Sequence, residues 1–333
     1  MTLLAIAKNG FLESIRQPVF VVLLVAGTLA MVLNVNLAAF TLEDDNKLLV
    51  DLGLSTLFVA GLLCAAFTSG SVLSREIENK TVVTVVSKPV PRAAVVVGKF
   101  LGVAAAIGLA YWALAAVFLL AVRHRVQSSV RIDDTFDLPV LLFSLLFGGI
   151  ALMFAGLTNY LYRRPFASVF AVSYAAALTA ALGLVWCVDR DWQFQNPLVE
   201  WDGQLMIALV LIFEAVVVLA AVAIAASTRL GQVAALMVCV AAFLTGLVSE
   251  YFLGTLLTGP GAESRAIGAV ARAGLWAVYL AVPNLQFFWP ADALTQGHEI
   301  TLPYFGAVSL YAALMVGGVM SVAVLLFQQR DVG

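Results

Sequence analysis

Eight apolar runs constrain this chain more than any other feature of its sequence. Each is near the ~20 residues that a helix needs to cross about 30 Å of hydrocarbon. Charged residues make up only 11% of the chain, against about 25% in a soluble domain. We therefore predict an all-α, polytopic transmembrane helix bundle of about eight spans (six to eight), in one domain over residues 1–333. The runs lie near 18–40, 52–73, 95–122, 139–161, 166–188, 203–226, 232–253 and 304–327.

Two regions outside these runs carry weaker signals. Residues 1–17 alternate apolar and polar positions with helical spacing before Pro18, which predicts a helix lying in the membrane interface. Residues 254–303 contain a short apolar stretch that ends at Pro283 and is too short to span a bilayer. This outer region is predicted to hold either a re-entrant helix or an amphipathic surface helix, with three rings near the outer headgroups: Trp276, Tyr279 and Trp289.

The charges predict the orientation of the spans. With the N-terminus in the cytoplasm, eleven lysines and arginines fall inside and seven outside, in the direction of the positive-inside rule. No cleavable signal precedes the first run, so we expect it to be retained. We predict a multi-pass protein with both termini cytoplasmic. The cysteines have no metal-ligand spacing and are interpreted as packing residues: Cys64, Cys187 and Cys239.

A charged loop separates the second and third runs. Residues 74–92 carry six charges, although both neighbouring runs could be buried in lipid. Pro89 and Pro91 end any helix before the next run begins. A charged segment that is too short to be a domain, yet held tightly by membrane helices, is typical of a docking element for a soluble partner.

The sequence offers no catalytic constellation. It contains no G-x-x-x-x-G-K-[ST] phosphate loop, and the nearest fragment, 97–100, lacks the upstream glycine and the hydroxyl residue. Any ATP must therefore be bound by another polypeptide. His124 and His298 each stand alone, which predicts no metal site. We expect a transport subunit rather than an enzyme, with no cofactor and no nucleic-acid partner.

Two carboxylates interrupt or border apolar runs. Glu214 lies in the middle of the sixth run, where a charge is costly unless it faces protein or water. It is a candidate for a translocation path or an interface between subunits. The alternative is a protonated or paired glutamate that is satisfied by a neighbouring helix, for instance by Ser144, Thr158 or Asn159. Glu250 lies near the outer end of the seventh run, where interfacial placement is sufficient to explain it.

Four segments, taken in order, resemble the permease subunits of ATP-binding-cassette transporters of the type-2 exporter class. The similarity is greatest to the subgroup linked by name to multicopper-enzyme maturation. The segments are the E-x-x-R at 13–16, the R-E-x-E-x-x-T, S-K-P-V and G-K-x-L-G motifs at 75–81, 87–90 and 98–102, the P-N-L at 283–285, and the aromatic-x-x-R-D at 327–331. The second group is the most specific.

This resemblance implies how the protein works. A separate ABC ATPase subunit is expected to dock on the loop through Arg75, Glu76, Ile77, Glu78 and Lys80. It implies export across the inner (plasma) membrane, and a homodimer or a heterodimer with a second permease, surrounded by membrane lipid. The family pattern usually has six spans, so we expect this chain to insert one additional hairpin in the middle. Two alternatives stay open: an ion-coupled secondary transporter or channel that uses Glu214, and a non-transporting assembly or anchoring protein.

Overall fold

The computed structural model of the protein describes residues 2–39, 45–78, 91–126, 137–257 and 268–329. Within these ranges, a π-helical turn, Glu250–Gly254, leads into a short helical turn, Thr255–Leu257, and two 3-10 turns occupy Pro197–Glu200 and Gln286–Phe288. The α-helices, numbered in chain order, are α1 (Thr2–Ile15), α2 (Pro18–Ala38), α3 (Asp45–Glu78), α4 (Arg92–His124), α5 (Leu138–Tyr162), α6 (Phe166–Cys187), α7 (Gly203–Ser227), α8 (Gln232–Ser249), α9 (Ala269–Ala281), α10 (Ala291–Thr295) and α11 (Leu302–Gln328).

The predicted all-α bundle of eight spans is confirmed. Eight helices of the described part are long and apolar enough to cross a membrane: α2 to α7, α8 with its continuation, and α11. The helices begin and end within a few residues of the apolar runs, except that α3 begins at Asp45 and ends at Glu78. Pro18 occupies the first turn of α2, where a proline costs no hydrogen bond, and thereby separates α1 from α2.

Helices α4 and α7 form the centre of the bundle. In each of them 67% of the most apolar window is buried, against 17% in α5. Helix α4 packs on α1, α3 and α6, and α7 packs on α3, α8 and α11. Both central helices are rich in buried alanines, and small residues let neighbouring helices approach closely within a membrane.

Helix α9, in the predicted outer region, has only 13 residues. Its length of about 20 Å is well below the ~30 Å of the hydrocarbon core, so it adds no ninth span. Most of its described side chains are exposed. Whether α9 is re-entrant or lies on the surface stays a prediction. The ring of Trp289 faces protein, because its centroid is 6.1 Å from that of Phe58.

Candidate functional site

The predicted docking residues follow the membrane part of a long helix. Arg75, Glu76, Ile77 and Glu78 form the last turn of α3, whereas Lys80 lies outside the described residues. Helix α3 has 34 residues, so its length of about 51 Å exceeds the hydrocarbon thickness by roughly 20 Å. The four residues are thus presented on a helical extension of a span.

The other side of the charged loop is fixed to the end of the last helix. Pro91 precedes α4, and the Arg92 side chain donates a hydrogen bond from Nη1 to the carbonyl oxygen of Gln328, at 2.8 Å. Gln328 is the last residue of α11, where carbonyl groups lack partners within the helix and favour a positive charge. The bond joins the start of α4 to the end of α11.

Helix α1 crosses α4 at the two glycines of the G-K-x-L-G motif. A Cβ atom added at Gly98 would lie 2.8 Å from Cγ2 of Ile6, and one at Gly102 would lie 2.7 Å from the backbone nitrogen of Phe11. Because both distances are shorter than real Cβ contacts, only glycine permits this crossing. The motif thus places the N-terminal helix directly on α4, a few residues after the charged loop.

The lysine of the same motif forms an ion pair with α1. Lys99 Nζ lies 2.8 Å from Oε2 of Glu13, and the Lys99 side chain is only 5% exposed. Glu13 is the acidic residue of the E-x-x-R segment. Two motifs that are distant in sequence therefore meet in one contact, which sequence reasoning did not predict, since each was interpreted separately.

Sequence reasoning also did not predict a second polar cluster, which lies at the opposite end of α4. Arg123 Nε lies 3.2 Å from Oδ2 of the fully buried Asp137, and Nη1 lies 3.3 Å from Oε1 of Glu200. The guanidinium also donates to the carbonyl oxygens of Val185 and Val188. Charge counts alone could not find this cluster, because its members come from four separate segments.

Glu250 organises the end of α8. Its Oε2 accepts hydrogen bonds from the Tyr279 hydroxyl, at 2.8 Å, and from the Asn284 amide, at 2.6 Å. A Cβ atom at Gly254 would lie 2.5 Å from Oε1, so the carboxylate fills the space beside the π-helical turn. Burial raises the pKa of Tyr279, and its hydrogen bond to Glu250 raises it further; the hydroxyl therefore stays a donor.

The P-N-L segment is a buried bridge between two spans. Asn284 donates its backbone N–H to the Tyr311 hydroxyl on α11, and Leu285 donates its N–H to the Gly246 carbonyl oxygen on α8. Pro283, Asn284 and Leu285 are all buried. Interfacial placement alone therefore does not account for Glu250, because the Glu250 carboxylate holds this bridge through its hydrogen bond with Asn284.

Glu214 faces α11, not the helices that were expected to supply its partner. Its carboxyl interacts with the Ser309 hydroxyl. Among the described residues, neither Glu214 Oε2 nor Ser309 Oγ has a hydrogen bond of ordinary geometry, so the two groups approach without forming one. The expected partners bond elsewhere: Ser144 to Val140, Thr158 to Phe154, and Asn159 to Arg164. The choice of these three residues as partners was wrong, because hydropathy leaves the rotation of each helix undetermined.

Comparison with known proteins identifies the family. The family model described as "ABC-2 family transporter protein" matches residues 4–188, which is more than half of the chain. The match runs from α1 to the end of α6 and includes both the Glu13–Lys99 pair and the predicted docking residues; Glu214 lies outside it. No curated protein matches the chain. The chain belongs to the ABC-2 family of transporter proteins, as a membrane permease of an ABC transporter.

Proposed function

We propose that this permease is the membrane subunit of an ATP-driven exporter, coupled to a separate ATPase through residues 75–80. The family comprises membrane transport components without an ATPase site of their own, which generally work with an ABC ATPase. The observation that carries the proposal is the attachment of α4. It is joined to α11 by Arg92 and to α1 by Lys99, on the side where the loop emerges.

This attachment gives the loop a mechanical route into the bundle. A displacement of the loop pulls on α3 at one side and on α4 at the other. Because α4 is bonded to α1 and α11, these three helices move together, rather than α4 alone. Closure of the ATPase on its nucleotide could in this way open and close a path between two permease copies, in a homodimer or a heterodimer. We place the complex in the inner membrane, with both termini in the cytoplasm.

The experiment is an affinity purification of the tagged protein from mildly solubilised native membranes. Wild type is compared with a Glu76→Ala/Glu78→Ala variant, and the retained proteins are identified by mass spectrometry. The matched control is Arg163→Ala/Arg164→Ala, which removes two exposed charges from the α5–α6 hairpin at the same end. Size-exclusion profiles establish that each variant is folded.

We expect wild type and the control to retain an ATPase with a phosphate loop, and the Glu76/Glu78 variant to lose most of it. Equal retention by all three would refute the docking site. If wild type retained no such ATPase, coupling itself would be refuted. An ion-coupled transporter or channel that uses Glu214 would then be the better-supported function, because Glu214 has a carboxyl oxygen without a hydrogen bond in the described part of the bundle.

A further inference from the structure

A cavity of about 530 Å³ opens between α3, α8 and the segment that follows the P-N-L bridge. This volume lies within the range of sites that bind drug-sized molecules, ~300–1,000 Å³. Three of its lining residues are aromatic: Phe58, Phe243 and Trp289. No lysine or arginine lines it among the residues that the structure describes.

The aromatic rings form one continuous wall. Phe58 is buried, and its ring centroid lies 5.1 Å from that of Phe243 in an edge-to-face arrangement and 6.1 Å from that of Trp289 in a stacked one. The wall joins three separate segments of the chain. Aromatic faces attract organic cations, by roughly 0.5–2 kcal/mol per contact, and also provide apolar contact area.

Carboxylates supply the charge at the same cavity. Asp292, in the first turn of α10, lines it. Asp51 lies one helical turn before the lining residue Ser55 on α3, and therefore on the same face of that helix. The two carboxylates repel each other, and no ion pair to either is found in the described ranges. A bound cation would relieve this repulsion.

We propose that this cavity is a binding site for a hydrophobic organic cation. The positive charge lies toward Asp292 and Asp51, and the apolar groups pack against Phe58, Phe243 and Trp289. A neutral ligand would gain no attraction from the carboxylates, and an anion would be repelled by them. The proposal that the cavity binds a cation rests on the cavity alone. Only the use of the cavity as a substrate site rests on the proposed transport function, so cation binding and transport can each fail without the other.

The test is equilibrium binding to purified protein in nanodiscs of zwitterionic phosphatidylcholine, without any ATPase. The probe is radiolabelled tetraphenylphosphonium, and tetraphenylborate serves as an ion of the same shape and opposite charge. Empty nanodiscs are subtracted. We expect saturable binding of the cation and none of the anion, with binding weakened about tenfold in Asp292→Asn and in Phe243→Leu.

Two further variants distinguish binding at the cavity from an effect of general surface charge and from misfolding of the variants. Asp292→Glu keeps the charge and should retain the wild-type Kd within about threefold. Glu299→Gln removes an exposed acid that does not line the cavity and should leave binding unchanged. Absence of saturable binding, equal binding of the two ions, or an equal loss in Glu299→Gln would each overturn the proposal.

Discussion

Lys99 shows that a residue within a motif can have a role that the motif itself does not reveal. In the sequence it is only part of the G-K-x-L-G motif, within a fragment that lacks the residues of a phosphate loop. The structure gives it another role, since its ammonium group is buried against Glu13 on α1. A charge in such a place is costly without its partner, so the pair holds the N-terminal helix on the bundle.

A charge exchange tests this role. Removing the ammonium group in Lys99→Met leaves Glu13 without its ionic partner, and we expect a loss of about 1–3 kcal/mol of stability. The double variant Glu13→Lys/Lys99→Glu should recover much of that loss. The measurement is the midpoint of thermal unfolding in detergent, followed by size-exclusion chromatography.

The matched control is Lys8→Met, because Lys8 is exposed on the same helix α1. It should leave the midpoint unchanged. A midpoint for Lys99→Met equal to that of wild type would contradict a stabilising pair. If the double variant did not recover the midpoint, the shape of the Lys99 side chain, and not its charge, would be what stabilises the protein.

At the scale of the element, α9 depends on polar contacts more than on packing. Its described side chains are largely exposed, and Tyr279 connects it to Glu250 on the π-helical turn. The bridge at Asn284 uses the same carboxylate. One side chain thus fixes both α9 and the segment that follows it.

We therefore predict that Glu250→Ala increases backbone hydrogen exchange in residues 269–288, because two donors lose their common acceptor. Exchange is followed by mass spectrometry of the protein in nanodiscs. Tyr251→Ala, which removes an exposed neighbour on the same turn, is the control and should leave exchange unchanged. Unchanged exchange in Glu250→Ala would mean that packing alone holds this region.

The comparison of sequence with structure also belongs to the element scale. Hydropathy predicted the spans well, because lipid permits few other arrangements. It placed the start of the second span at 52, whereas α3 begins at Asp45. Hydropathy detects only the apolar part of a helix and not its polar first turns. Contacts between helices, such as Arg123 with Asp137 and Glu214 with Ser309, could not be predicted. They depend on how each helix is rotated, which a uniformly apolar run does not reveal.

At the scale of the whole molecule, the two ends of the bundle differ. One end holds the start of α4, the end of α11 and the last turn of α3, which contains four of the predicted docking residues. The other end is tied internally by the Arg123 cluster, in which a buried ion pair joins α4 to the start of α5. Internal contacts therefore join helices at both ends, through Arg92 and Lys99 at the loop end and through Arg123 at the other.

The orientation of these ends is the last prediction. In a variant whose three cysteines are replaced, a single cysteine is introduced at Arg163, on the α5–α6 hairpin, or at Asp191, after α6; both positions are exposed. An impermeant maleimide should label Asp191→Cys in intact cells, and Arg163→Cys only after permeabilisation. The reverse pattern would place the predicted docking residues outside, where no ATP is available, and ATPase coupling through them would then be impossible.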